Sequence, residues 1–269
     1  MSRLRYLPLA AVAACTLAAL PAHAGDDEPI STDRPDVVES SQVVGKGRVQ
    51  IETSVQWERQ RGDGARVETL STPTLLRIGA GERLELRVET DGRQRIRSSD
   101  SAGVDRVSGY ADSAVGIKWH VADQQGEGLA GRPSMAWLVH ADLPSGSRVL
   151  RGHGVRPSLR LAAEWELGDG YGVGVMPGVA LESDEAGKRY GFGILAATLG
   201  KEFNERVRGF VELAASQIAR AAHGGTEATF DTGLTYLINK DCQLDLALAR
   251  GLNRRSPDLR LGAGLSVRM

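Results

Sequence analysis

Charged residues take every second place in several stretches of this 269-residue chain. Glu85, Arg87 and Glu89 alternate with Leu84, Leu86 and Val88, and Lys118 stands between Ile117 and Trp119. Arg160 and Glu164 interrupt the apolar series Leu159, Leu161, Ala163, Trp165, while Arg208, Glu212 and Asp245 repeat the pattern later, with Glu52, Glu166 and Arg250 as further members. Carboxylates and guanidinium groups brought together in this way either pair with one another or form charged rings that select solutes. Neither use is catalysis. A Ser-His hydrolase at a membrane rim would need both groups on one outward face, and no histidine here has an outward serine beside it. No GxSxG elbow and no phosphate-binding glycine loop occur either. His120 and His140 share the phase of the charges but fall toward opposite ends of adjacent segments, which argues against a shared metal. His153 and His223 lie in the loop-like "RGHG" and "AHGG". No catalytic residue, metal or cofactor is expected.

A period of two is the period of a β-strand, which sends successive side chains to opposite faces. The clearest alternation covers 49–58, 84–89, 115–121, 159–167, 207–213, 244–248 and 259–269, with weaker versions over 66–78, 133–142, 171–182, 189–199 and 226–238. That makes twelve candidate strands. Extended to their turn signals they run to about ten to fourteen residues, longer than the five or six of typical soluble strands and enough for a tilted bilayer crossing. The connections carry a second rhythm. "RQRGDGA" (59–65), "SSDSAGVDR" (98–106), "LPSGSRVLRGHG" (143–154) and "LNRRSPD" (252–258) are longer; "GAGE" (79–82), "GDG" (168–170) and "NKD" (239–241) are tight, and 122–131 breaks the rule. An even number of strands joined by alternately short and long links is the pattern of an outer-membrane barrel with short periplasmic turns. A soluble β-sandwich also alternates, so the facing is argued from energies. Arg87 or Lys118 on lipid near the midplane would cost about 2–4 kcal/mol each. The charges therefore belong inside, and lipid is the solvent of the apolar face.

The first residues point to the same compartment. Arg3 and Arg5 precede an apolar run from Leu7 to Leu20 and the small-residue site "PAHA", the pattern of a cleaved signal peptide over residues 1–24. Val12-Ala13-Ala14-Cys15 resembles a lipobox, but the apolar run continues past Cys15. Only Cys242 would remain in the exported chain, so no intrachain disulfide can form. A formal charge of −1 gives no electrostatic reason for a nucleic-acid partner. Five per cent of residues are aromatic, few for a barrel with two aromatic girdles.

The two ends of the exported chain carry a recognisable signature. "STDRPDVVESSQVVGKGRVQIET" (31–53), with Thr32-Asp33-Arg34-Pro35-Asp36 and Glu39-Ser40, resembles the outer-membrane transporter-like family named for the meta-cleavage pathway of phenol degradation. So does Gly233-Leu234-Thr235-Tyr236 leading to Gln243-Leu244-Asp245 and Gly251-Leu252-Asn253; "RLELRVE", "DLPSG" and "RPSL" match more loosely. The resemblance implies an all-β, antiparallel transmembrane barrel in the bacterial outer membrane and a transporter of aromatic or other small compounds. Met269 stands where such barrels usually end in an aromatic residue. The expected organisation is a leader (1–24), an N-terminal periplasmic or lumen segment (25–46) and the barrel (47–269). The segment either folds into the periplasmic mouth, with Asp33, Arg34 and Asp36 pairing to lumen charges, or merely caps the rim. Expected partners are a small-molecule solute, outer-membrane lipids, periplasmic chaperones and the barrel-assembly machinery. The alternatives are a non-conducting structural barrel and, further off, an outer-membrane lipid hydrolase.

Overall fold

Alternation of this length becomes a closed wall. The computed structural model describes residues 28–62, 64–184 and 186–269, so the leader over 1–24 lies outside the described residues. The chain forms β1 (Val49–Gly62), β2 (Ala65–Ser71), β3 (Thr74–Gly79), β4 (Leu84–Thr90), β5 (Arg93–Asp100), β6 (Gly103–Tyr110), β7 (Ser113–Ala122) and β8 (Ser134–Leu143). It continues with β9 (Arg156–Gly168), β10 (Tyr171–Ser183), β11 (Arg189–Asn204), β12 (Val207–Ile218), β13 (Thr226–Asn239), β14 (Cys242–Gly251) and β15 (Leu259–Arg268). Every pairing is antiparallel, and β15 returns to β1 from Gln50↔Arg268 to Arg59↔Leu259, which leaves the spanning sheet without an edge.

Fifteen segments make twelve spanning strands, because three strands are broken in two. β1 pairs with β2 through Gln56↔Ser71 and with β3 through Thr53↔Thr74, so β2 and β3 are halves of one strand. β4 and β5, then β6 and β7, are halves in the same sense. The breaks follow one paired row, Thr74–Thr90–Ser113–Leu143. Pro73 has no N–H for the ladder. Gly92 has φ +65°, and a Cβ there would lie 2.3 Å from the Thr72 carbonyl oxygen, so only glycine turns this corner. Beyond the breaks, β2, β5, β6 and the upper half of β1 continue as a ribbon. There the expected loops 59–65 and 98–106 are instead largely strand, since Gly62 pairs with Ala65 and Asp100 with Gly103. That height lies above the hydrocarbon band, so pairing continues without an apolar period to announce it.

Outside the ribbon the two faces separate cleanly. Leu246 is 62% exposed and Leu213 58%, whereas Lys118, Arg77 and Glu85 inside are 0% exposed. Leu244 and Leu261 are likewise exposed, so they do not meet across a protein interior. Most of the exposed aromatics lie toward one end. Trp119, Trp137, Tyr171, Phe203 and Tyr236 are all exposed near the end where β1 begins and β15 finishes, where an interfacial girdle is expected. Arg250 departs from its expected inward place: it follows Leu248 in phase, pairs with the exposed Phe230 and is itself exposed near the far rim.

Candidate lumen site

The lumen is occupied by the chain's own N-terminal segment. It starts beside the closing strands, where the Ile30 amide donates to Lys240 O (2.7 Å) and Arg268 Nη2 to Glu28 O (2.8 Å). It crosses the interior and comes back to the same end, where the Gly47 amide donates to Gly79 O (2.9 Å) before β1 begins. Asp33-Arg34-Pro35-Asp36 lies at the turning part of this excursion, with a cis Arg34–Pro35 peptide bond. Buried backbone groups need partners, and here the wall supplies carboxylates. Glu212 accepts the Val37 and Val38 amides, each at 2.8 Å, Glu164 accepts the Ser41 amide at 2.5 Å, and Glu85 accepts the Val44 amide at 3.1 Å.

Side chains complete the attachment. The Asp33 carboxylate receives Lys118 Nζ at 2.6 Å and Arg87 Nη1 at 2.5 Å, with Arg77 at 3.4 Å. Burial alone would raise the Asp33 pKa, but the cations Arg77, Lys118 and Arg87 outweigh it and hold the carboxyl well below the usual carboxylate range. Glu39 bridges Arg87 and Arg160, both at 2.5 Å. Arg34 reaches Asp245 and Asp36 reaches Arg208, both at 3.2 Å. The Thr32 hydroxyl donates to Arg34 O at 2.7 Å and accepts from Gln243 Nε2 at 2.8 Å. An apolar contact backs the ions: Val38, with Val37 beside it, packs on Met176, Ala196 and Ala214. Gly174 makes room for it, since a Cβ there would sit 2.8 Å from Val38 Cγ1.

Arg77 was the least legible member of this network. It donates to Glu85 Oε1 and to Glu52 Oε1, each at 2.9 Å, and to Gln42 O at 2.8 Å. Its signal is faint because Leu75, one place before Leu76, also faces inward and blurs the alternation. His140 is buried, accepting from Arg87 Nε at 2.9 Å with Arg160 Nη2 3.2 Å from its other nitrogen. His120 lies beside Ser41 O (2.9 Å) and Asp123 (2.8 Å). The two rings are four register positions apart, as Gly116↔His140 and His120↔Ala136 show. Glu89 stands 3.7 Å from Arg160 and 4.0 Å from Arg87, and Glu166 is exposed at the mouth.

Above the segment, on the far side, lies a cavity of about 490 Å³ lined by Glu39, Glu89, Asp91, Asp142, Arg156 and Arg160 among others. Residues 144–155 fold over one side of it: the amides of Gly146 and Gly152 donate to the two oxygens of Asp112 at 2.8 and 2.9 Å. The interior thus has the composition of a watery conduit, and the exterior that of a lipid-facing surface.

Solved structures share the fold. The chain is similar to an outer membrane channel from Pseudomonas putida F1, at 14% identity and TM-score 0.63, over 85% of this chain and 98% of that one. It is also similar to the β domain of a Bordetella autotransporter, BrkA (14%, TM-score 0.54, 81% and 98%), and to the translocator domain of the autotransporter NalP from Neisseria meningitidis (13%, TM-score 0.53, 84% and 89%). A search of curated proteins finds no match. An edgeless twelve-stranded wall, apolar outside and charged within, is a β-barrel of the bacterial outer membrane. Residues 32–269 match the family described as "Putative MetA-pathway of phenol degradation", and the signature that opens this span is the one that docks in the lumen: the chain belongs to that family.

Proposed function

We propose that the protein is a passive outer-membrane channel for small molecules, with residues 28–46 narrowing its lumen. The observation that carries this reading is the charged interior with its cavity of about 490 Å³ between the segment and the far mouth. A barrel built only to fill space has no use for such a chamber. In this reading Glu85, Arg87, Glu89, Lys118, Arg160, Glu164, Arg208, Glu212 and Asp245 form the wall of the conduit. Thr32, Asp33, Arg34, Pro35 and Asp36 form its constriction. The family description makes phenolic and other aromatic compounds the first solutes to test. No group is assigned a catalytic role, and residues 1–24 are assigned to a cleaved leader. Purified barrel in planar bilayers should give discrete conductance steps, and liposome swelling with phenolics, sugars and amino acids should rank the solutes. Silence in both assays would overturn the channel reading. One observation favours a second reading, a non-conducting structural barrel: the segment is held at once by ion pairs on β3, β4 and β7 and by apolar packing on β10–β12.

A further inference from the structure

The ribbon beyond the strand breaks carries an unusual surface. Paired residues point to the same face, so the register names its members. Arg59 pairs with Glu68, Glu68 with Arg97, and Arg97 with Arg106. Arg61 pairs with Arg66, and Arg66 with Ser99. Trp57 pairs with Leu70, and Leu70 with Arg95, while Arg93 pairs with Tyr110. Val55, Leu70 and Tyr110 are exposed on this face, which makes it the outward, lipid-side face. Seven arginines therefore share one outward surface with a single acid, Glu68, among the described strand residues. Glu68 is itself divided between Arg66 at 2.6 Å and Arg97 at 3.8 Å. Arg93, Arg95 and Arg97 follow one another along β5 at about 7 Å intervals, and all three are exposed.

Two physical points follow. Like charges directly opposite one another destabilise a sheet, yet Arg97 faces Arg106 and Arg61 faces Arg66. An arrangement of that kind is relieved by an anion from outside the chain. The height of the patch says where that anion is. A strand rising about 3.3 Å per residue at a tilt near 40° climbs about 2.5 Å per residue, so an apolar band about 25 Å tall takes roughly ten residues. Counted from the end where β1 begins and β15 finishes, Arg59 on β1 and Arg95 on β5 stand about ten or eleven residues up. They lie just above the exposed Val55, Val88 and Val115, at the level of the outer-leaflet headgroups.

We propose that this face binds the phosphate groups of lipopolysaccharide, the anionic glycolipid of the outer leaflet. Arg rather than Lys suits the task, since its planar fork grips phosphate oxygens two at a time. The proposal rests on the outer-membrane location but not on conduction, so a barrel that proves silent in bilayers leaves it standing.

The test is the affinity of the full exported barrel, in neutral detergent micelles, for diphosphorylated lipid A, for the same lipid A stripped of phosphate, and for phosphatidylglycerol. Diphosphorylated lipid A should bind most tightly. Replacing Arg93, Arg95 and Arg97 together by Gln should weaken it about a hundredfold, three charges near an anionic surface at about 1 kcal/mol each. An Arg59→Gln/Arg106→Gln pair, sharing no residue with the first variant, should weaken it as well and decides the matter if the triple variant fails to fold by heat-modifiable mobility. Unchanged affinity in a folded variant overturns the proposal. So does equal binding of dephosphorylated lipid A, which would mean that acyl chains suffice, or equal binding of phosphatidylglycerol, which would mean a patch indifferent to its anion.

Discussion

Asp33 is the point on which the lumen segment turns, and Asp33→Asn tests that directly. In the folded protein its carboxylate meets Lys118 at 2.6 Å and Arg87 at 2.5 Å, with Arg77 at 3.4 Å, and all three cations are essentially inaccessible to water. Asparagine keeps the volume and one acceptor but leaves the cations without that counter-charge. Breaking a buried pair from one side costs about 3–5 kcal/mol. Glu52, Glu85 and Glu39 still hold Arg77 and Arg87, so we expect the lower end of that range. About 3 kcal/mol shifts the docked-to-released ratio of the segment by more than a hundredfold. Two readouts follow it: the open dwell time in planar bilayers should lengthen, and limited digestion with a glutamyl endopeptidase should cut after Glu39, which is buried while the segment is docked, far faster than in the wild type. Arg34→Ala, which loses one 3.2 Å contact to Asp245 on a partly exposed side chain, should move both by less than tenfold, since such pairs contribute about 1 kcal/mol or less. The pH sign is fixed too. A carboxyl whose folded pKa lies below its ordinary value stabilises fully above about pH 4 and loses its effect only as pH falls toward the folded value. The difference between variant and wild type should therefore be flat from pH 5 to 8. Equal digestion rates, or a difference that vanishes within that window, would refute the reasoning.

The facing of the strands is tested by Leu246→Arg against Asp245→Ala: the first should cost about 2–4 kcal/mol in urea titrations in liposomes and the second clearly less, and equal costs would mean that the apolar face does not touch lipid. Gly174→Val should expel the segment through Val38, whose Cγ1 would lie 2.8 Å from the new Cβ. Its readout is raised mean conductance with unchanged heat-modifiable mobility, and a normally closed variant would show that Val38 does not anchor the segment. Arg160→Glu places an acid in the cavity beside Glu39 and Glu89. The reversal potential in a salt gradient should move toward cation preference, and an unmoved value would place the cavity off the conduction path.

The membrane-spanning part of the fold was legible because lipid on one side and charge on the other impose a period of two on Leu259 to Arg268 and its counterparts. Above the bilayer that constraint disappears, which is why β2, β5 and β6 read as loops in part. The strand breaks were hidden for different reasons: across Pro73 the outward phase is kept, from Leu70 to Leu76, and across Gly92 it shifts by one, from Val88 to Arg93, where no apolar series marks the change. Arg250 was misplaced by giving its charge more weight than its phase with Leu248. The basic partners of Asp33, Asp36 and Glu39 lie from 44 (Asp33 to Arg77) to 172 residues away along the chain, and no local pattern announces pairs so distant. Arg77, beside two leucines, offered least of all.

The lumen segment leaves and regains the same rim, so it is looped into the barrel and not threaded through it. No strand need unpair for it to withdraw, and no chain end need cross the membrane for it to dock. The wall can therefore close first, with the plug seating afterwards as an intramolecular ligand whose tether, the step from Lys46 to Val49, keeps it always within reach of its socket.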